Sequence, residues 1–306
     1  MKFMTFRRGD RVEVGILDTS TASVSPLSSY FDGEWDLVRT IEHWREVGPT
    51  LASHGGEPIS VEDVEILAPF PRPHRNIICI GKNYLEHVEE FQKSGYDKTQ
   101  PSQPMDRAIF FTKATTTVCS PNSIIEDHSA LSTEIDYEAE LAVIIGSTCR
   151  RVPAEEALDH VWGYTIVNDV TARDLQRDHQ QWFLGKSLDG FCPMGPVAVT
   201  RDELDLADTA ITSTVNGELR QSSNTSMLMR GVPELISTLS AAMTLVPGDI
   251  IATGTPSGVG IGFSPPRFLS PGDTVSVRIQ GLGCLTNQYG GSVMAGATDI
   301  LEGLRD

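Results

Sequence analysis

The sequence has few basic residues and no long hydrophobic run. Its 306 residues include 24 Lys and Arg against 41 Asp and Glu, a formal net charge of −17. This balance repels phosphate backbones and anionic membrane surfaces, so we expect neither nucleic acid nor a membrane among the partners. No apolar segment approaches the roughly 18 residues of a transmembrane helix, and MKFMTFRRGDRVEVG at the start has no apolar signal-peptide core. We therefore expect a cytoplasmic protein.

Paired cysteines are also missing. The five cysteines are odd in number, widely spaced and without any C-x-x-C pair. This pattern argues against a zinc cluster and against a disulfide framework, and we expect reduced, mostly buried thiols. What the chain does have is 40% hydrophobic residues, enough at this length to bury a substantial core.

A proline-rich segment divides the chain near residue 72. Before it, KFMTF and RVEVGIL predict two strands around a turn, and residues 35–47 carry apolar residues at helical spacing. The strand-like SVEDVEIL then leads into APFPRP, whose prolines disfavour regular structure. We predict a small N-terminal α+β domain over residues 1–72 and a larger domain over residues 73–306.

Strand signals dominate the larger part. They are NIICIG, AIFFTK, LAVIIG, VWGYTIVND, PVAVT, AITSTVNGELR, DIIATG and TVSVRIQ, and the pair Asn216-Gly217 predicts a hairpin. Helical spacing is found in LEHVEEFQK, PAEEALDHV, ARDLQRDHQ and VPELISTLSAAM, and the Gly-rich tail after Tyr289 ends in a short helical pattern. This ratio favours a β-rich α+β roll or sandwich with peripheral helices over alternating βαβ units.

Three carboxylates crowd the start of one apolar strand. In IDYEAELAVIIG, the side chains of Asp136, Glu138 and Glu140 would share one face of an extended chain. Like charges placed this way destabilise one another unless a positive charge lies between them. One interpretation is a solvated strand edge. The other is a divalent cation, because carboxylate oxygens are the ligands that Mg²⁺, Ca²⁺ and Mn²⁺ select.

A further carboxylate ends another apolar strand. Asp169 follows GYTIVN and directly precedes a helix-like segment. It could be a helix cap or a turn residue. Since strand ends often carry functional groups on a rigid scaffold, it could instead join Glu138 and Glu140 in a three-carboxylate site that leaves positions open for substrate.

A histidine and a glutamate share one face of a predicted helix. In GKNYLEHVEEFQ, His87 and Glu90 are three residues apart, and Asn83 is a plausible cap for the helix. A carboxylate on one imidazole nitrogen fixes the tautomer and makes the other nitrogen a better general base. The alternative is a surface helix of an acidic protein, on which such a pair arises by chance.

Polar groups suited to an anion follow Asp169 in the sequence. Arg173 offers a bidentate fork for a carboxylate, Gln176 a side-chain amide, and Lys186 a point charge near a metal. On their own these could be ordinary surface residues.

The Gly-rich GDIIATGTPSGVG lacks the Lys-Ser/Thr of a P-loop and the glycine order of a dinucleotide site. A role that suits this segment better than nucleotide binding is to bind a substrate carboxylate through Thr255 and nearby backbone N–H groups.

These segments, in this order, resemble the fumarylacetoacetate hydrolase family. The resemblance extends from about residue 75 to residue 289 and rests on GKNYLEH, DYEAELAVIIG, GYTIVNDVTARDLQ, GKSLDGFCPMGP, VNGELRQ and GDIIATGTPSGVG. It implies a mixed β-sandwich roll, a Mg²⁺ or Mn²⁺ ion bound by an E-x-E pair and a later Asp, and a homodimer.

Matched by position, the resemblance also implies roles. The metal ligands correspond to Glu138, Glu140 and Asp169, which leaves Asp136 as a structural acid. His87 and Glu90 resemble the general-base pair on the mobile lid helix of the branch that contains acylpyruvate hydrolases and oxaloacetate decarboxylases. The groups around its substrate correspond to Lys186, Arg173, Gln176 and Thr255, with Lys186 counted as catalytic.

The reaction that these residues suit is C–C bond cleavage next to a 2-oxo acid. A divalent metal would chelate the carboxylate and 2-oxo oxygens and stabilise the enolate that leaves. In the hydrolytic version, His87 oriented by Glu90 deprotonates a water that attacks the 4-oxo carbon of an acylpyruvate or fumarylpyruvate. We therefore predict a metal-dependent hydrolase of 2,4-dioxo acids.

Two other reactions use the same site. Oxaloacetate could lose CO₂ into the same enolate, and a tautomerase could use the histidine and the metal only to move a proton. A non-enzymatic alternative is a metal-binding regulatory module, against which the intact set of three acids, His87 and Lys186 argues.

Overall fold

The computed structural model describes residues 1–53, 56–95 and 108–291. Nearly all of the tail after Tyr289, with its expected short helix, lies outside these ranges. The strands are β1 (Lys2–Arg8), β2 (Arg11–Asp18), β3 (Ser23–Pro26), β4 (Ile59–Ser60), β5 (Glu65–Leu67), β6 (Ile77–Gly81), β7 (Ile109–Lys113), β8 (Val118–Cys119), β9 (Ile124–Ile125), β10 (Ile135–Asp136), β11 (Ala139–Ile145), β12 (Val161–Asn168), β13 (Thr171–Ala172), β14 (Cys192–Pro193), β15 (Ala198–Thr200), β16 (Ala210–Val215), β17 (Glu218–Asn224), β18 (Ile250–Ala252), β19 (Thr274–Ile279) and β20 (Gly283–Tyr289).

A large mixed sheet runs through the molecule. In the described chain its order is β4-β3-β2-β1-β15-β12-β11-β18-β6-β7, with β5 pairing to β1. β18 and β6 run parallel, whereas β11 is antiparallel to both β12 and β18. The start of β11 therefore lies beside the ends of β12 and β18, and β6 ends at the same edge of the sheet.

The central strand β11 is buried on both faces. Leu141, Val143 and Ile145 pack into one hydrophobic core, and Ala142 and Ile144 pack into another. A strand covered on both sides needs apolar residues at successive positions, which explains the unbroken LAVIIG.

A second sheet covers one face of the first. Its order is β17-β16-β19-β20-β9, and its Ile211, Val275 and Val277 share a core with residues of β11 and β12. The predicted hairpin at Asn216-Gly217 is confirmed: the pair connects β16 to β17 with positive φ values of 51° and 79°. The two sheets form a β-sandwich.

The first 72 residues extend the large sheet and cover its other face. β1 pairs with β15, so strands from both sides of residue 72 are hydrogen-bonded to each other. Leu37 and Ile41 share the second core with Ala142, Ile144 and other residues of the central strands. The division into domains at residue 72 stays a prediction.

The helices are few and short. They are α1 (Leu37–Glu42), α2 (Trp44–Ser53), α3 (Leu85–Lys93), α4 (Arg173–Asp178), α5 (Phe183–Lys186) and α6 (Val232–Ala242). The helix expected over residues 35–47 is divided at His43, and its second part continues through Pro49 because Val47 and Leu51 pack into the core. No helix in the described ranges is long and apolar enough to cross a membrane.

One predicted α-helix is a 3₁₀-helix. In Ala154–His160 the N–H of Glu156 bonds to the oxygen of Pro153, three residues earlier. Only seven residues lie between Pro153 and β12, too short a segment for α-helical propensity to decide the geometry.

Candidate active site

Three buried carboxylates meet at the edge where β11 begins and β12 ends. Glu138 directly precedes β11, Glu140 is its second residue, and Asp169 directly follows β12. The N–H of Asp169 bonds to the oxygen of Glu138 at 2.9 Å, which fixes the two chain segments together. One carboxylate oxygen from each side chain lies within 4.8 Å of the other two. The sequence placed these residues in one group, and the structure brings them together.

Three cationic side chains surround the carboxylates. Lys186 Nζ lies 2.7 Å from Glu138 Oε2 and 2.7 Å from Asp169 Oδ2. Arg173 Nη1 lies 2.7 Å from Glu138 Oε1, and Lys113 Nζ lies 2.6 Å from Asp169 Oδ1. The sequence analysis missed Lys113, although a lone cation at the end of the apolar AIFFTK was a signal of the same kind as Asp169.

The two glutamates differ in their electrostatic surroundings. Burial alone would raise the pKa of Glu138, but Lys186 and Arg173 outweigh it and lower this pKa to about 2. Burial raises the pKa of Glu140 well above its usual value, and the charges of Asp169 and Glu138 raise it further. Among the described ion pairs none involves Glu140, whose Oε2 accepts a hydrogen bond from the Gly254 N–H at 2.9 Å. Lys186 and the Gly254 hydrogen bond oppose this rise in pKa without cancelling it, so the positive charge around Glu140 does not balance the three carboxylates.

A divalent cation fits this donor set. Three closely spaced carboxylate oxygens are hard ligands of the kind that Mg²⁺ and Mn²⁺ prefer, and an ion beside Glu140 would supply the missing charge. Both oxygens of Asp169 already accept from lysines, but a carboxylate has about four lone-pair positions, so a metal ligand position remains. Glu138, Glu140 and Asp169 could hold the ion.

Asp136 has a structural role in orienting Arg173. Its carboxylate accepts from the N–H groups of Tyr137 at 2.9 Å, Gly260 at 2.6 Å and Ile261 at 3.1 Å, and from Arg173 Nε at 2.8 Å. Four donors fill the roughly four lone-pair positions of the carboxylate, consistent with the prediction that Asp136 is not a ligand. Arg173 Nη2 is buried and has no hydrogen-bond partner among the described residues.

The helix α3 carries the histidine–glutamate pair. His87 Nδ1 lies 3.3 Å from Glu90 Oε2, and the Glu90 carboxylate also accepts from the Gly258 N–H at 2.9 Å. A Cβ at Gly262 would overlap the side chain of Glu90. The glycine therefore leaves room for the Glu90 carboxylate. The pair is tied to the loop after β18 as well as to its own helix.

The prediction that Asn83 caps α3 is wrong. Tyr84 is the residue that precedes the helix, and no side chain caps it. The amide of Asn83 donates instead to the backbone oxygens of Arg230 at 3.0 Å and Thr253 at 2.9 Å. Asn83 is fully buried between these segments, so its polar groups bond to distant backbone rather than to the helix.

One cavity connects these groups. Seven of the nine predicted site residues line it: His87, Glu138, Glu140, Arg173, Gln176, Lys186 and Thr255. The other two, Glu90 and Asp169, contact this set directly. Gln176 Oε1 accepts from Arg173 at 3.2 Å, and the Thr255 hydroxyl accepts from Gln221 at 2.7 Å. The individual roles of these residues stay predictions.

The cavity also contains residues that the sequence analysis did not select. Lys82 and Trp182 line it together with Ile80, Phe91 and Phe111. Lys82 is half-buried and has a positive φ of 58°, an uncommon conformation for a residue with a side chain. Its place next to Gly81 in GKNYLEH was the available signal. No signal in the sequence pointed to Trp182, because its contacts are with β6 and β7, far away in the sequence.

Comparisons with known proteins agree with this architecture. The sequence profile described as fumarylacetoacetate (FAA) hydrolase C-terminal matches residues 76–289. The chain is 51% identical over 232 residues to oxaloacetate tautomerase YisK of Bacillus subtilis (strain 168), covering 76% of this chain and 75% of that protein.

Solved structures give the same result. A fumarylacetoacetate hydrolase from psychrophilic Exiguobacterium antarcticum superposes with a TM-score of 0.81 at 42% identity, covering 95% of this chain and all of that one. A maleylpyruvate hydrolase from Sphingobium sp. SYK-6, in complex with manganese(II) and pyruvate, gives 0.76 at 29% identity over 95% and 99% of the two chains. The predicted β-rich roll is confirmed, and the chain belongs to the fumarylacetoacetate hydrolase family of enzymes.

Proposed function

We propose that this protein is a divalent-metal-dependent tautomerase that interconverts the keto and enol forms of a small 2-oxo acid of the oxaloacetate type. The observation that carries the proposal is the convergence, in one cavity, of the carboxylate triad, His87 and Arg173. Each of the three supplies a different requirement of the reaction, and each is supported by its own contacts.

Arg173 supplies a binding group for the substrate carboxylate. Its guanidinium is held by Asp136, Glu138 and Gln176, while Nη2 is buried without a partner among the described residues. An unsatisfied buried donor of this kind is costly, and a ligand carboxylate would satisfy it. Lys82 and Lys186 line the same cavity and add positive charge for an anionic substrate.

His87 supplies the base. Glu90 faces Nδ1, which leaves Nε2 as the nitrogen available to the cavity. In the proposed reaction Nε2 takes a proton from C3, the carbon next to the 2-oxo group, and delivers it to the C2 oxygen. One C–H bond breaks and one O–H bond forms, and the reverse transfer restores the keto acid.

The carboxylate triad supplies a metal site. Glu138, Glu140 and Asp169 would hold Mg²⁺ or Mn²⁺. When bound, such an ion acts as a Lewis acid toward the oxygens of a 2-oxo acid, which makes the C3 proton easier to remove. Lys186 remains a cation beside the site: burial would lower its pKa, but Asp169 and Glu138 raise it overall.

The name of one relative favours tautomerisation of a short substrate. The Bacillus subtilis protein is called oxaloacetate tautomerase. This name supports a four-carbon acid as the substrate class.

Hydrolysis of a 2,4-dioxo acid is the second candidate. It was the function predicted from the sequence, and it is supported by the likeness to a maleylpyruvate hydrolase that binds manganese(II) and pyruvate. In that reaction His87 would deprotonate water instead of C3. Decarboxylation of oxaloacetate uses the same groups and is distinguished by its products. The expected homodimer also stays a proposal.

Product analysis separates these reactions. The purified protein, supplied with Mn²⁺ or Mg²⁺, is incubated with oxaloacetate, acetylpyruvate or fumarylpyruvate, and the enol absorbance, pyruvate and CO₂ are followed. We expect faster loss of the oxaloacetate enol signal without release of pyruvate, and loss of most of this rate in His87→Ala.

Other products would contradict the proposal. Pyruvate with CO₂ from oxaloacetate would identify a decarboxylase, and pyruvate with a carboxylic acid from a dioxo acid would identify a hydrolase. No effect on any of the three substrates would contradict both candidates.

A further inference from the structure

Trp182 forms part of the cavity wall on the turn that carries Lys186. It directly precedes α5, and its backbone oxygen accepts a hydrogen bond from the Lys186 N–H at 3.0 Å. The position of the indole and the position of the ammonium group are therefore set by the same single helical turn.

The indole is packed against the end of β6. A Cβ at Gly81 would lie 2.3 Å from Cζ3 and 2.8 Å from Cη2 of Trp182, so only glycine permits this contact. The φ of Gly81 is not positive, which means that the glycine is needed for space and not for backbone conformation. Phe111 of β7 meets the indole edge-on, with ring centroids 5.3 Å apart at 67°.

The lining of the cavity is chemically mixed. Trp182 and Phe111 present aromatic surface, with Lys186 Nζ 5.0 Å from the centre of the Phe111 ring, while Arg173, Glu138 and Glu140 present charge. The charged groups, Lys82 included, suit the two carboxylates and the 2-oxo group of an oxaloacetate-type acid. The surface of Trp182 is then left to meet any chain that extends further.

We propose that Trp182 limits the length of the chain that a 2-oxo acid can carry beyond C3, and so restricts the enzyme to short substrates. The inference rests on the proposed function, because it assumes that a 2-oxo acid occupies the cavity. Gly81 and Phe111 act through Trp182, since they fix the position of its ring.

Binding of unreactive acids tests whether Trp182 limits the chain length, without requiring turnover. Dissociation constants of pyruvate, 2-oxobutyrate, 2-oxovalerate and 2-oxohexanoate are measured by calorimetry on the Mn²⁺-loaded wild type, Trp182→Phe and Trp182→Ala. Phe183→Ala is the matched control, because Phe183 is the next residue in the same turn and is 46% exposed.

The expected result is a change in the ratio of affinities. In the wild type 2-oxohexanoate binds much more weakly than pyruvate, and Trp182→Ala reduces this difference at least about tenfold, the lower limit for a methylene-sized change in a pocket. Trp182→Phe gives an intermediate ratio, and Phe183→Ala keeps the wild-type ratio.

Two results would overturn the inference. An unchanged ratio in Trp182→Ala, whether the affinities stay the same or fall equally for all four acids, would give Trp182 only a structural role. The conservative Trp182→Phe keeps the test valid if the alanine variant is unstable. If no 2-oxo acid binds even to the wild type, the proposed function fails together with the inference, and this outcome is distinct from the first.

Discussion

Lys113 donates a hydrogen bond from Nζ to Oδ1 of Asp169 at 2.6 Å, and both side chains are completely buried. The two residues are 56 positions apart in the sequence. Because Lys186 bonds the other oxygen of Asp169, this carboxylate is held from both sides, and one of its oxygens lies within 4.8 Å of an oxygen of Glu138 and of Glu140.

The first prediction concerns this buried pair. Lys113→Met leaves Asp169 with one cation fewer at a completely buried position, so we expect the free energy of unfolding to fall by about 3–5 kcal/mol. Saturating Mn²⁺ should restore part of the loss, since it supplies positive charge at the same carboxylate. Denaturant unfolding with EDTA and with Mn²⁺ measures both effects.

Lys93→Met is the matched control for that experiment. Lys93 is 80% exposed and lies 3.8 Å from Glu89, so its removal should change stability by less than about 0.5 kcal/mol. Equal small effects from the two lysine variants would contradict the assigned importance of Lys113.

The second prediction is that Glu140→Gln acts in opposite directions on the metal-free and metal-loaded protein. Without metal, Glu140 is a buried carboxylate close to two others and has no ion pair among the described residues. The amide removes a charge and keeps the hydrogen bond from Gly254, so the metal-free variant should unfold at a higher temperature than the wild type. Its Mn²⁺ affinity should fall at least about tenfold, because even changes outside the ligand set have effects of that size.

Thermal unfolding in EDTA and calorimetric titration with Mn²⁺ measure the two sides of this prediction. Unchanged Mn²⁺ affinity in Glu140→Gln would remove Glu140 from the ligand set. If the metal-free variant is less stable than the metal-free wild type, the charge of Glu140 is already compensated in the wild type.

The third prediction concerns the partner of His87. In Glu90→Gln the side-chain oxygen can still accept from Gly258, but the imidazole loses its carboxylate. We expect kcat to fall by roughly 10²-fold with little change in KM, and the pH profile of kcat to shift, because general-base catalysis contributes about 10²–10⁴-fold. Glu89→Gln, on the exposed side of α3, is the control and should leave both constants unchanged. If the two glutamine variants behave alike, Glu90 does not orient the base.

The fourth prediction assigns the second carboxylate of the substrate to Lys82. This residue lines the cavity in a left-handed conformation that costs roughly 1 kcal/mol or more, and such strain is retained mostly at functional sites. Lys82→Gln should raise KM about tenfold for oxaloacetate, the value of one hydrogen bond to a charged group. It should leave the affinity for pyruvate, which lacks the second carboxylate, nearly unchanged. Equal losses for both acids would contradict the assignment.

Local patterns in the sequence were sufficient for much of the fold and for the centre of the site. The unbroken apolar residues of β11 predicted a buried strand, and acids at its start and at the end of β12 predicted a cluster. His87 and Glu90 were paired by helical spacing alone. In each case the relevant residues are close in sequence or end regular elements, where periodicity carries the information.

Contacts between distant segments were not predictable in the same way. Lys113 reaches Asp169, and the Asn83 amide bonds to backbone 147 and 170 residues away. The local pattern made Asn83 a cap, but burial requires partners wherever the fold provides them. The place of Trp182 depends on the space that Gly81 leaves, which no local pattern expresses.

The central claim, that one cavity unites a metal site with a His87 base, is tested most directly by the rate of oxaloacetate tautomerisation during a Mn²⁺ titration. For the wild type the rate should increase in proportion to the occupancy of one site per chain. His87→Ala should bind Mn²⁺ with the same stoichiometry and lose at least about 10²-fold of the rate at full occupancy. Full wild-type activity in EDTA, or an undiminished rate in metal-saturated His87→Ala, would contradict the account.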